Sequence, residues 1–204
     1  MEVLEHDNDL KELHTVTPAD WVPGPQQGDW TYEAYAALTE DGECYEIVQG
    51  VLVMSPAPEN IHQNAIGEIF AYLREQIKLK HLGRVIVAPF DVVLSSQDVV
   101  QPDVLVVLNE HLDRLQAKHL EGAPDLVVEV YSPSSRLYDR VVKHTLYEQA
   151  GVPEYWLVDP EKKCIELFVL EYGKYRSLGI FSGDQVLPSR IVPQLPIPVA
   201  GFFA

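Results

Sequence analysis

The run Ala123-Pro-Asp-Leu-Val-Val-Glu-Val-Tyr-Ser carries a carboxylate in the middle of a stretch apolar enough to be a strand buried on both faces. A second run, Val99-Val-Gln-Pro-Asp-Val-Leu-Val-Val-Leu, opens a strand of the same kind with Asp103 directly behind Pro102. A buried carboxylate is destabilising by roughly several kcal/mol, or shifts its pKa strongly, unless a cation compensates it. Glu129 and Asp103 on neighbouring strands would also repel each other. Any fold that accepts both must therefore bring a cation to them. The plain account is that Asp103 caps a loop and Glu129 pairs with one basic side chain. For Asp103 alone that account suffices; for the pair, a divalent metal is the better one. Magnesium prefers one or two carboxylates, completed by water and substrate phosphate oxygens.

Around these two runs the pattern is that of one α/β (α+β) domain, preceded by an arm. Residues 1–28 are polar, acidic and punctuated by Pro and Gly, and read as a loose acidic N-terminal arm; residues 29–204 read as the domain. Thr31–Leu38 reads as a short helix capped by Thr31, and Cys44–Ser55 as a hairpin turning at Gln49-Gly50. Between Pro58 and Lys80, Ile66, Ile69, Leu73 and Ile77 recur at helical spacing, with Gly83 as the stop. Strands are predicted at Arg84–Ala88, Phe90–Leu94, Asp103–Leu108 and Asp125–Tyr131, and helices at Glu110–His119 and Ser135–Ala150. A strand at Pro153–Asp159 then leads, through the turn Pro160-Glu-Lys-Lys, into a β meander of Cys164–Leu170 and Tyr175–Ile180. The prolines after Val192 exclude regular structure there. Helices alternating with strands indicate a mixed sheet flanked by helices. Tyr155, Trp156 and Phe168 alternate at strand spacing; core packing explains them better than a surface for stacking bases.

The net charge of −16 opposes binding to nucleic acid, whose affinity comes largely from Lys and Arg on phosphates. The charge is uneven, however. Residues 1–50 hold 12 acidic side chains and one basic residue, Lys11, while the remaining 154 hold 19 acidic and 14 basic. The absence of any Lys/Arg-rich run excludes tight non-specific coating of DNA. Cys44 and Cys164 stand too far apart in sequence to suggest a zinc knuckle or a disulfide framework. No apolar stretch is long enough to cross a bilayer, and the acidic start lacks a secretory pattern, so a cytoplasmic protein without membrane partners is expected. There is no Gly-rich phosphate loop, nucleophile elbow or zinc-spaced cluster.

Pro102-Asp103, followed by Glu129 closing an apolar strand, resembles the PD-(D/E)xK nuclease core. More narrowly, the chain resembles a bacterial family of restriction endonuclease-like proteins. The matching stretches are Tyr45-Glu-Ile-Val-Gln-Gly, Ser55-Pro…His62, Gln101-Pro-Asp-Val, Glu129-Val-Tyr-Ser-Pro-Ser-Ser, and Tyr138-Asp-Arg…Lys143…Tyr147…Ala150-Gly-Val-Pro-Glu-Tyr-Trp-Leu-Val-Asp. The resemblance covers about residues 30–200. It implies a restriction-endonuclease-like fold with a mixed central β-sheet, and Mg²⁺ (or Mn²⁺) held by Asp103 and Glu129. It also implies hydrolysis of nucleic-acid phosphodiester bonds, with DNA as the expected substrate, and a 5′-phosphate product. A homodimer is expected by analogy with nucleases that cut both strands, and the apolar end at Phe202-Phe203 fits one.

One departure is informative. The superfamily lysine would stand two residues beyond the acidic residue, on the same strand face, and that position is Tyr131. The resemblance instead implies a lysine delivered from the next helix, Lys143. The plain alternative is a solvated lysine paired with Asp139 one turn earlier. Glu46 matches the family's leading glutamate and would bind the metal or orient a water, although an outward strand residue needs no function. His62 shares a helix face with Ile66, Ile69 and Leu73 and points inward, to a phosphate or simply to the core. Asp91 is a candidate for a supporting role. Two rival functions remain: a nuclease fold that binds without cutting, and a metal-dependent hydrolase of small phosphoesters.

Overall fold

In the two carboxylate-bearing runs, alternate side chains go to opposite faces, and both faces are covered. Leu105, Val107 and Val127 join one buried cluster, while Val104, Val106, Leu126 and Val128 join another. A computed structural model describes residues 16–38, 42–54, 59–132, 135–192 and 197–203. Its strands form two six-stranded mixed sheets. The first contains β1 (Thr17–Pro18), β2 (Tyr45–Val48), β3 (Val51–Met54), β5 (Asp91–Ser95), β6 (Asp98–Val100) and β8 (His119–Glu121), in the order β1-β3-β2-β6-β5-β8. The second contains β4 (Gly83–Val87), β7 (Val104–Leu108), β9 (Leu126–Val130), β10 (Glu154–Asp159), β11 (Cys164–Glu171) and β12 (Lys174–Ser182), in the order β12-β11-β10-β9-β7-β4.

Two features of the second sheet decide where its carboxylates and its covering helix go. Val104 pairs with Val128 in the antiparallel β7/β9 ladder, so the next residues outward, Asp103 and Glu129, are brought side by side. Strands β9 and β10 are parallel, and a parallel pair requires a crossover. That crossover is a π-helical segment, Tyr138–Lys143, running into helix α3 (His144–Ala150), and it ends on Gly151 in the left-handed region at φ 85°. It lays Tyr138, Val142, Leu146 and Tyr147 onto the face of the sheet that bears Leu105, Val127 and Leu157.

The opposite face is covered by helix α2 (Asn60–Leu73), continued by a π-helical turn, Arg74–Lys78. Its fully buried Ile69, Leu73 and Ile77 pack on Val104, Val106 and Val128, each burial stabilising by about 1.5–3 kcal/mol. The short helix α1 (Tyr32–Ala36) begins at Thr31, whose hydroxyl accepts from the Ala34 amide as expected.

The expected mixed sheet flanked by helices is this second sheet; the first sheet beside it was only partly legible. β6 and β8 were not anticipated, and the predicted helix Glu110–His119 is a 3-10 segment, Asn109–Arg114, after which His119 enters β8. Within the predicted arm, Thr17–Pro18 pair with β3, and Val16 and Ala19 are buried; residues 1–15 lie outside the described residues, as do 55–58 and 193–196. Tyr155, Trp156 and Phe168 are buried in the core.

Candidate active site

Each side chain of the site is placed by a local necessity. The β2–β3 hairpin turns through Gln49 and Gly50, both at positive φ, and a Cβ on Gly50 would lie 2.2 Å from the Gly28 carbonyl oxygen. Glycine there keeps the hairpin tied to the preceding loop and sets β2, with Glu46, at the centre of the first sheet. Pro102 ends pairing after β6, which turns Asp103 off the first sheet and onto the second. The crossover helix then carries Lys143 across Glu129.

The result is one cavity of about 240 Å³ lined by Glu46, His62, Asp103, Glu129, Asp139 and Lys143, among others. Thus the five residues singled out from the sequence share one cavity. Lys143 is no surface lysine, being only 7% exposed. Its Nζ donates to Glu129 Oε1 and lies by Glu46 Oε1, both at 3.0 Å, with Asp139 Oδ1 at 3.9 Å. Glu46 is no outward strand residue either. Its Oε1 also accepts the Gln101 amide at 2.7 Å, and its Oε2 accepts the Tyr138 hydroxyl at 3.2 Å. Hydrogen-bonded at both oxygens, Glu46 is fixed against Lys143. Glu129 Oε1 takes a further hydrogen bond of 2.6 Å from the Tyr147 hydroxyl. Asp103 Oδ2 accepts the Val130 amide at 2.7 Å and lies 3.3 Å from His62 Nε2.

Four buried or half-buried carboxylates therefore face a single lysine, and this imbalance sets the electrostatics. Burial, reinforced by Asp103, Asp139 and Glu46, pushes the Glu129 carboxyl well above the usual range despite Lys143. Burial likewise raises Asp139 to about 6, although Lys143 opposes it. For Lys143, burial lowers the pKa, but Glu129, Glu46 and Asp139 outweigh it and hold the ammonium charged above its ordinary value. His62 is raised too, since Asp103 overcomes its desolvation.

The donor set fits a divalent cation. Among the described residues, no hydrogen bond reaches Asp103 Oδ1 or Glu129 Oε2, so each carboxylate keeps one oxygen for a ligand, and the acid surplus is what a dication would offset. A second set of ligand-type atoms, on Glu110, His111 and Asp125, lies within 4.8 Å of one another. There Asp125 is already engaged by the Leu108 amide and by His111 Nδ1, both at 2.7 Å.

A family model described as "Putative restriction endonuclease", Uma2, matches residues 31–200. The chain belongs to the Uma2 family. Its fold is similar to the crystal structure of "a putative nuclease belonging to DUF820" from Anabaena variabilis, with a TM-score of 0.71 and 17% identity, over 85% of this chain and 97% of that one. No curated protein matches the chain. This Uma2 chain thus belongs to a family described as putative restriction endonucleases and shares the fold of that Anabaena protein.

Sequence reasoning missed part of this Uma2 site. Asp139, read only as a helical partner of Lys143, is a fourth carboxylate of the cavity. Tyr147 and Tyr138 hold the two glutamates. The signal was present: Asp139, Lys143 and Tyr147 recur every four residues, which puts them on one face of the helix, the buried face it shares with Val142 and Leu146. Asp91 stands back from the cavity. Its Oδ1 accepts Gln101 Nε2 at 2.9 Å and the Tyr35 hydroxyl at 3.3 Å, and Gln101 links it to Glu46.

Proposed function

We propose that this protein is a metal-dependent endonuclease that hydrolyses phosphodiester bonds of nucleic acid, with DNA as its substrate. The observation that supports this reading best is the gathering of Asp103, Glu129 and Lys143 in one cavity, with an open oxygen on each acid. Asp103 and Glu129 would hold Mg²⁺ (or Mn²⁺), which when bound supplies Lewis-acid polarisation of a phosphoryl oxygen. Lys143, kept protonated by three carboxylates, acts as a fixed positive donor for charge developing on the phosphoryl group and not as a base. Glu46, Tyr138 and Tyr147 are positioning residues: they fix the ammonium and Glu129 before substrate arrives. His62, at the cavity wall on Asp103, is suited to hold a water or give up a proton.

The two free cysteines fit a reducing, cytoplasmic setting. No described helix is long and apolar enough to cross a membrane. A homodimer rests on analogy with paired nucleases, because the apolar end that suggested one is used internally: Phe202 is fully buried beside Trp156 and Tyr72.

Supercoiled plasmid and single-stranded DNA, incubated with wild type, Asp103→Ala and Lys143→Ala in Mg²⁺ or Mn²⁺ at low salt, test the reading, with metal affinity measured by calorimetry. Both variants should lose cleavage, Lys143→Ala by about 10²–10³-fold, and only Asp103→Ala should lose metal binding. Wild type that binds metal but cuts nothing would favour a binding protein or a small-phosphoester hydrolase. Absence of metal binding would remove the site.

A further inference from the structure

The strand that carries Glu129 continues to Tyr131, where a second cavity of about 130 Å³ opens, lined by Tyr131, Arg136, Asp159, Glu161 and Lys162. The same loop borders both cavities: Ser132 and Ser135 line the active-site cavity, while Tyr131 and Arg136 line this one. Two residues of extended chain span about 6.6 Å, so the two cavities are close neighbours.

Tyr131, which stands where the superfamily would carry its lysine, organises cations here in another way. Its hydroxyl donates to Asp159 Oδ2 at 2.6 Å. Asp159 also accepts the Lys162 amide and the Lys162 ammonium, each at 2.9 Å, so that its charge is matched inside the cluster. On the ring of the same tyrosine lies the Arg136 guanidinium, 5.6 Å from the centroid. A cation–π contact orients a guanidinium without neutralising it. Among the described residues Arg136 forms no ion pair, whereas its neighbour one turn on, Arg140, is paired with Glu166. An arginine left unneutralised in a chain of net charge −16 is a group awaiting an anion. Its planar fork matches phosphate oxygens. Glu161, exposed on the same rim, opposes an anion there.

We propose that this second cavity binds a phosphate of the nucleic-acid strand flanking the bond held in the active-site cavity, with Arg136 as its donor. This rests on the nuclease reading above and adds the route by which a strongly acidic chain holds a polyanion: a placed, unpaired arginine beside the active site, in place of a broad basic face.

The test is binding of a fluorescently labelled oligonucleotide, followed by anisotropy over a KCl series, with Ca²⁺ replacing Mg²⁺ to prevent cleavage. Arg136→Ala should weaken binding about tenfold and reduce the slope of log Kd against log[KCl] by about one. Glu161→Gln should act in the opposite sense, tightening binding about two- to threefold. Arg190→Ala, whose guanidinium is engaged by Glu171, should keep the wild-type slope. Unchanged affinity and slope in Arg136→Ala would overturn the proposal while leaving the nuclease reading intact. So would calorimetric binding of inorganic phosphate that is lost in Arg136→Ala without any effect on the oligonucleotide. Wild type that neither binds nor cuts any oligonucleotide would overturn both.

Discussion

Glu129 and Glu154 are buried glutamates on adjacent parallel strands, β9 and β10, and they do opposite things. Glu154 accepts the Trp156 indole N–H at 2.7 Å, the Ser189 hydroxyl at 2.6 Å, and the backbone amides of Arg190 and Ile191 at 2.6 and 3.3 Å. Each of these donors is neutral, and the effect of Glu154 is to pin residues 189–191 onto the sheet. Glu129 has one oxygen occupied by Lys143 and Tyr147, no donor on the other among the described residues, and three more carboxylates around it. The lesson is that burial of a carboxylate does not mark a functional site. Crowding by like charge together with an uncommitted oxygen does, because that arrangement is unfavourable until a ligand arrives.

The comparison breaks most visibly at Glu129. Glu129→Gln is expected to lower cleavage by about 10³-fold while raising the melting temperature of the metal-free protein, since it removes one of four mutually repelling acids. A melting temperature that falls together with cleavage would make Glu129 a structural residue like its neighbour. For Glu154→Ala the signs reverse. Several buried donors lose their acceptor, so stability should drop by about 3 kcal/mol, seen as a lower urea midpoint, with Mg²⁺ affinity unchanged; altered metal affinity would erase the distinction.

The crowding should also show in the pH dependence of metal-free stability. Asp139 is raised from 3.8 to about 6, so the folded state binds more protons than the unfolded state between those values. Stability should therefore fall as pH rises through this window, by up to about 1.4 kcal/mol per pH unit, and Asp139→Asn should flatten the slope. A slope that survives the substitution would assign the effect to another group. The smallest effect is expected from Tyr147→Phe, which removes one hydrogen bond from Glu129: Mg²⁺ affinity should fall about tenfold. Calorimetry giving the wild-type affinity would reduce Tyr147 to a packing residue.

The same comparison marks how far the sequence could be read. Glu129 drew attention because it interrupts an apolar run, yet Glu154, in Pro153-Glu-Tyr-Trp-Leu-Val-Asp, interrupts a similar one and is structural. Pattern alone ranks both residues equally, since partners from distant positions, such as Ser189 or Lys143, are invisible to it. The family stretches contain both glutamates; the resemblance to the PD-(D/E)xK core, Pro102-Asp103 followed by Glu129, singled out Glu129, and the five residues named from the two resemblances line a single cavity. Asp139 enters the sequence reading only in the alternative account, as the helical partner of a solvated Lys143, because helical spacing reports neighbours along the helix and not what lies across from it. β6 and β8, each three residues long, were too short for an alternating pattern to register.

The sequence by itself determined the order of the main strands and helices, the core faces of α2 and of the second sheet, and the presence of two acids that need a cation. These arise from local periodicity and from the cost of burying charge, which act residue by residue. Only the tertiary structure decided that Lys143 sits between Glu46 and Glu129, that Asp139 joins them, and that Tyr131 carries Arg136 to a neighbouring cavity. The antiparallel register of β7 on β9 and the crossover demanded by the parallel β9/β10 pair bring those side chains together across 14 to 97 residues of chain, from Glu129 to Lys143 and from Glu46 to Lys143. No local pattern encodes a distance of that kind.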